Sequence, residues 1–130
     1  MDTVSQMLTK IRNAQMAGQK EVAIRPSKLK FALAEILKKE GFVENVAKEK
    51  EGMIKIVLKY HQFSPTKKIP AIKGIKKISK SGQRIYIKNK DIRDVRNKYG
   101  TAILSTSKGV MTGEESRKIG LGGEYICEVW

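Results

Sequence analysis

The chain has 130 residues, one cysteine, one histidine and a formal net charge of +14. A lone Cys127 excludes an internal disulfide, and with His61 it cannot supply the soft ligand set of a typical zinc site. No run approaches the ~18 apolar residues of a membrane span, and no apolar signal core opens the sequence, so a soluble cytoplasmic monomer is expected.

Val4, Met7, Leu8 and Ile11 fall on one helical face, with Thr3 and Gln6 spaced as a capping box and Gly18 as a stop. Glu21–Arg25 alternates and reads as a short strand. Pro26 and Ser27 open a second helix whose apolar stripe is Leu29, Ala32, Leu33, Ile36 and Leu37, ended by Gly41. Phe42–Lys48 and Met53–Tyr60 read as strands joined by a turn at Lys50, Glu51 and Gly52. The first half, residues 1–62, is therefore expected as an α-β-α-β-β unit.

Residues 63–70 carry Pro65 and Pro70 and read as a linker. Residues 71–130 are expected to be mainly β with a short helix, which makes the fold class α+β with two small units. Ala71–Ser79 reads as a strand bent near Gly74, then a turn at Lys80–Gly82 and a strand at Arg84–Lys88. In that strand Ile85 and Ile87 take one face, and Arg84, Tyr86 and Lys88 the other. Asp91–Lys98 is expected to form a helical turn. Thr101–Ser105 reads as a strand, Thr112 with Glu115 as a capping box, Gly120 as a helix stop and Glu124–Trp130 as a closing strand.

The charge is uneven. Residues 1–66 are net +5 and residues 67–130 net +9, and between Lys67 and Lys98 twelve basic residues meet only Asp91 and Asp94. An excess of this size favours a polyanionic partner.

Catalysis finds little support. A serine nucleophile needs a base and a group that orients it, and the only histidine, His61, stands at the edge of the expected linker. Glu114 and Glu115 suit the first turn of a helix. GLGG at 120–123 and SKG at 107–109 match neither phosphate-loop pattern, and Gly120, Gly122 and Gly123 read as a helix stop and turn. No cofactor or metal is expected.

Phosphate and sugar contacts draw on Lys, Arg, Ser, Thr, backbone N–H groups and helix N-termini. The stretch ILSTSKGVMT at 103–112 offers all of them: hydroxyls at Ser105, Thr106 and Ser107, a cation at Lys108, and close backbone approach at Gly109. The helix starting near Thr112 is expected to aim N–H groups at the same space. Taken alone, the stretch fits a polar strand end and capped turn equally well. Tyr86, between Arg84 and Lys88, fits a base-stacking residue or a half-buried strand tyrosine. Lys10 and Arg12 read as a solvated helix face. Lys28 and Lys30 in the first turn of the second helix oppose the dipole and point to an external anion. These residues leave RNA and DNA both open.

SQMLTKIRNAQ at 5–15, ISKSGQRIYI at 78–87 and LSTSKGVMTGEESRKIGLGGEYICEVW at 104–130 closely resemble the family of protein eight of the bacterial small ribosomal subunit. The resemblance spans essentially the whole chain. It implies two α/β parts and a structural, non-enzymatic role: primary binding of a bulged helix in the central domain of small-subunit ribosomal RNA, assembly of the platform, and repression of the protein's own operon mRNA. It implies small-subunit proteins five and twelve as neighbours. It places the main RNA contacts on Ser105, Thr106, Ser107, Lys108 and Gly109, with Tyr86 and Arg84 of the hairpin, and Glu124 supporting the same site. Thr3, Lys30 and Lys55 would make a second contact. The sequence departs from the family where Lys80, Ser81 and Gly82 replace a common Lys-Pro-Gly, at DTVSQ near the N-terminus, and at DIRDVRNKYG, which lacks a common proline.

Overall fold

A computed structural model describes residues 3–93, 95 and 100–130. The chain divides into two compact units, residues 6–73 and residues 74–130 together with the first five. The fold is α+β. Among the described residues no helix is long and apolar enough to cross a membrane.

In the first unit, α1 (Thr3–Met16) buries Met7, Leu8, Ile11 and Ala14 along the expected stripe. Thr3 already lies within the helix, so it is not its cap. β1 (Glu21–Ile24) leads to α2 (Lys28–Lys39), which Ser27 caps by accepting the Lys30 N–H at 3.0 Å. The stripe of α2 differs from expectation at its start. Leu29 is exposed, and Lys30 takes the buried place in line with Leu33, Ala34 and Leu37. These four lie at i, i+3, i+4 and i+7, so position sets the burial.

β2 (Val43–Lys48) and β3 (Ile54–Leu58) complete an antiparallel sheet of order β1-β3-β2, with Ile54, Ile56 and Leu58 buried. The expected linker is instead the turn and returning strand of a hairpin. β4 (Tyr60–Ser64) pairs with β5 (Lys67–Pro70) around Pro65 and Thr66. The prolines mark the turn and the strand end, where a missing N–H disturbs no ladder.

The second unit is a five-stranded antiparallel sheet organised on β10 (Gly123–Val129). One edge of β10 pairs with β8 (Thr101–Thr106). The other edge pairs with β7 (Tyr86–Ile87) near its start and β6 (Ile75–Lys77) near its end. β9 (Gly109–Thr112) returns along β8. The strand expected over Ala71–Ser79 is thus shorter, and Gly74 exchanges both backbone hydrogen bonds with Trp130, each at 3.0 Å. Of the helical turn expected at Asp91–Lys98, the chain shows a 3-10 turn at Asn89–Asp91; Asp94 and residues 96–99 lie outside the described residues. α3 (Gly113–Ile119) is capped as expected: Thr112 Oγ1 accepts the Glu115 N–H at 3.2 Å, and Gly120 closes the helix in the left-handed conformation.

Ile92, Val95, Ala102 and Leu104 form a buried cluster on which Ile87 and Tyr125 pack. Cys127 is fully buried, and burial foremost pushes its thiol up from 9.0 to about 12, with Lys77 opposing and Glu128 adding. Burial, then a 2.7 Å hydrogen bond to Glu128, raises the Tyr125 phenol as well. Both groups hold their protons more tightly when folded. For the thiol that stability is present below the unfolded value near 9 and is lost as pH climbs toward 12; for the phenol the loss starts above its ordinary 10.0. The denaturant midpoint is therefore expected to fall between about pH 8.5 and 10.5, and less steeply in Cys127→Ala, as read by urea titrations followed by circular dichroism.

Candidate nucleic-acid interface

Three neighbouring strands set one row of side chains. Glu124 on β10 is opposed by Tyr86 on β7 and by Ser105 on β8, and Ser105 in turn by Val110 on β9. Directly opposed residues share a face, with Cβ atoms about 4.5–5.5 Å apart. Leu104, Tyr125 and Ile87, one step along each strand, go into the cluster beneath, so Ser105, Glu124 and Tyr86 face away from it. Tyr86 is 71% exposed; the strand expected over Arg84–Lys88 is only Tyr86–Ile87, and Arg84 and Lys88 stand exposed outside it, two residues to either side of Tyr86.

Arg84 Nη1 donates to both carboxylate oxygens of Glu124, at 3.0 and 3.3 Å. With the Arg84 side chain 58% exposed, the pair adds little stability. Its effect is to hold the guanidinium over the row.

The expected hydroxyl cluster is a two-residue hairpin turn, Ser107–Lys108, between Thr106 and Gly109. Thr106 Oγ1 donates to the Gly109 carbonyl at 2.9 Å and accepts the Lys108 N–H at 3.2 Å. Gly109 has φ of +112°, which a side chain would oppose. Thr106 and Gly109 therefore shape the turn. Among the described residues the Ser105 and Ser107 hydroxyls make no hydrogen bond, and Lys108 is exposed. The start of α3 is not part of this group. β9 carries the chain to Thr112, opposite Ile103 and three pairs from the turn. That is about 10 Å at ~3.3 Å per residue.

Two features that hold the row are not visible as motifs. Ser79 is 1% exposed; its hydroxyl donates to the Ile85 carbonyl at 3.2 Å and accepts the Ile85 N–H at 2.9 Å. Ile85 is the residue before Tyr86, so this bond pair fixes the entry of β7. Gly122 and Gly123 are points of close strand approach, not a turn. A Cβ on Gly122 would lie 2.3 Å from the Ile87 carbonyl oxygen, and one on Gly123 2.2 Å from that of Ser105. Spacing to known patterns could not reveal this, because the contacts are with residues far along the chain.

The remaining candidates stand elsewhere. Thr3 is exposed at the start of α1. Lys55, on β3, is held by Glu21 at 3.2 Å and Glu49 at 3.9 Å, so its charge is matched within the chain. Lys30 is buried at 6% exposure. Neither Lys30 nor Lys55 belongs to the unit that carries the row.

These features define a class: a small, strongly basic α+β protein with a polar, cation-flanked sheet face and, among the described residues, no group of three or more metal-ligating side chains. Residues 2–130 match the family model of ribosomal protein S8. The small ribosomal subunit protein uS8 of Nitratidesulfovibrio vulgaris strain DP4 is 48% identical over 129 residues, covering 99% of this chain and 98% of its own. The uS8 proteins of Citrifermentans bemidjiense and Caldanaerobacter subterraneus are 46% and 50% identical over 132 residues, each covering 99% of this chain and 97% of their own. The chain belongs to the ribosomal protein S8 family, proteins of the small ribosomal subunit.

The close approach at Gly123 sets an expected outcome. Gly123→Ala forces β10 away from β8 and lowers unfolding free energy by about 1–3 kcal/mol. Gly82→Ala, where an added Cβ meets nothing within 4 Å, changes it by no more than ~0.5 kcal/mol. Urea denaturation of the two variants measures the difference.

Proposed function

We propose that this chain is a primary binder of small-subunit ribosomal RNA that grips a bulged helix of the central domain through the outer face of β7, β10 and the β8–β9 turn. The observation that supports this is the row of Tyr86, Glu124 and Ser105 across adjacent strands, next to a turn whose own bonds are made by Thr106. Short hydroxyls on Ser105 and Ser107 suit a shallow minor groove, where 2′-hydroxyls and base edges lie within reach. Tyr86 offers a ring on which an unstacked base can rest. Glu124 orients Arg84 and leaves oxygen lone pairs for a ribose hydroxyl. Arg84, Lys88 and Lys108 supply the phosphate contacts and with them the salt dependence.

On this reading the protein acts by holding RNA in shape, without a cofactor and without catalysis, in the cytoplasm as part of the ribosome. It helps organise the platform beside small-subunit proteins five and twelve. It represses its own operon by the same grip on a similar mRNA structure. Lys30 and Lys55 make a second RNA contact of the first unit, and Thr3 makes one at the start of α1.

The test is binding of a short RNA carrying the bulged helix against the same helix without the bulge, across several salt concentrations. The bulged RNA is expected to win by about 4 kcal/mol, the low end of specific over non-specific margins. Ser105→Ala with Ser107→Ala is expected to remove most of that preference while leaving the melting temperature unchanged. Thr106→Val, which loses the turn's bonds, is expected to lower the melting temperature too. Equal binding of both RNAs by the unaltered protein would overturn the reading.

A further inference from the structure

The first unit has an open cleft of about 810 Å³ where the end of α1, the end of β3 and the β4–β5 hairpin meet. Its walls are mixed: Met16, Val57 and Pro70 give apolar surface, and Lys20, Glu44 and Lys68 give charge. Gln15 is the informative member. The buried stripe of α1 runs through Met7, Leu8, Ile11 and Ala14. Gln15 follows at i+4 from Ile11 and i+7 from Leu8, a core-facing position that an apolar side chain would suit. Instead its Nε2 donates to the Ile72 carbonyl at 3.4 Å, and its Oε1 is buried with no hydrogen-bond partner among the described residues. Turning the amide over would set its oxygen against the Ile72 carbonyl, so one end stays unmet either way.

A buried acceptor without a donor is costly, and a donor arriving from outside relieves it. The charges of the cleft are open as well. Lys20, Glu44 and Lys68 make no ion pair among the described residues, although the same unit pairs Lys55 with Glu21 and Glu49. Met16 stands 81% exposed. Methionine and aromatic side chains are favoured at contact surfaces, where an unbranched thioether adapts to its partner. Tyr60, also in the wall, is steadied by its hydroxyl, which donates to the Gln19 carbonyl.

The cleft therefore asks for an N–H donor at Gln15, carboxylates at Lys20 and Lys68, and aliphatic contact at Met16, Val57 and Pro70. A polypeptide supplies all three. A nucleic-acid strand brings mainly phosphate acceptors, which would answer the lysines, leave Gln15 Oε1 unmet and be repelled by Glu44. It also has no aliphatic side chain to set against Met16.

We propose that this cleft docks an extended segment of another small-subunit protein, one that carries an aliphatic side chain beside a carboxylate. The proposal rests on assembly of the chain among other proteins in the small subunit, and not on the RNA grip of the second unit.

The experiment uses the full chain. Met16→p-benzoylphenylalanine puts a photoreactive ring on the exposed wall, and small subunits assembled with this variant are irradiated. A crosslink to a protein segment of the stated composition is expected, mapped by mass spectrometry. In subunits that contain the chain, a crosslink to ribosomal RNA, a crosslink to a protein segment lacking either group, or no crosslink would overturn the cleft. Absence of the unaltered chain from assembled subunits would instead overturn the assembly on which the proposal rests.

The crosslinked segment, made as a synthetic peptide, is then titrated against the free chain and followed by NMR. Saturable amide shifts at Gln15, Lys20, Val57 and Lys68 are expected. Gln15→Leu and, separately, Lys68→Gln are expected to weaken the peptide about tenfold, the loss of one hydrogen bond. Glu35→Gln, at an exposed position of α2, is expected to leave it unchanged. Without peptide, Gln15→Leu is expected to melt no lower than the parent, which an amide with a purely structural role would not allow. Peptide binding indifferent to both cleft substitutions would overturn the docking site. The same variants are expected to keep the preference for bulged RNA, so failure of the sheet-face reading is seen apart from failure of the cleft.

Discussion

Everything in the second unit depends on how closely β10 is approached. Its opening residue Gly123 and the Gly122 before it are glycines because carbonyl oxygens of Ser105 and Ile87 stand where side chains would be. With those side chains absent, β7 and β8 close on β10 from both edges, and Tyr86, Glu124 and Ser105 come into one row. A wider spacing at either edge would leave the same residues in the sequence but split the row. The constraint is steric and local, yet its effect is to join segments that are about twenty and forty residues distant from β10 in the chain.

Around that row, side chains that hold shape are distinct from side chains that are presented. Ser79 spends its hydroxyl on both backbone groups of Ile85, Thr106 spends its own on the turn, and Glu124 steadies Arg84. The Ser105 and Ser107 hydroxyls make no hydrogen bond among the described residues, and Tyr86 and Lys108 are exposed. A surface organised in this way loses little side-chain freedom on binding, since the backbone beneath it is already set.

The helices and central strands were legible because burial imposes a period. The α1 face, the β3 alternation and the Thr112 cap all follow from spacing alone. The reading failed where a residue type outvoted its position. Leu29 reads as part of the apolar stripe because of its chemistry, though the helical period puts Lys30 on the buried side. The β4–β5 hairpin was taken for a linker because its prolines read as breaks. For the candidate site, the residue types were visible in STSKG and RIYIK, and the resemblance named their family. What could not be seen was which hydroxyl would be engaged, or that Gly122 and Gly123 serve strand contact. Those properties belong to pairs of residues distant in sequence.

The placement of β10 also orders events during synthesis. β6, β7 and β8 all pair with a strand that is made after every one of them. Until residue 129 has been added and released from the synthesising ribosome, three strands wait with open edges and no common partner. The first unit has no such delay, since its sheet is complete once β3 has emerged. The nascent chain therefore passes through a state in which one half can be folded while β6, β7 and one edge of the β8–β9 hairpin still lack their partner, a form in which edge-to-edge association between chains is easier. The dense positive charge over those waiting segments keeps neighbouring copies apart by repulsion during that interval.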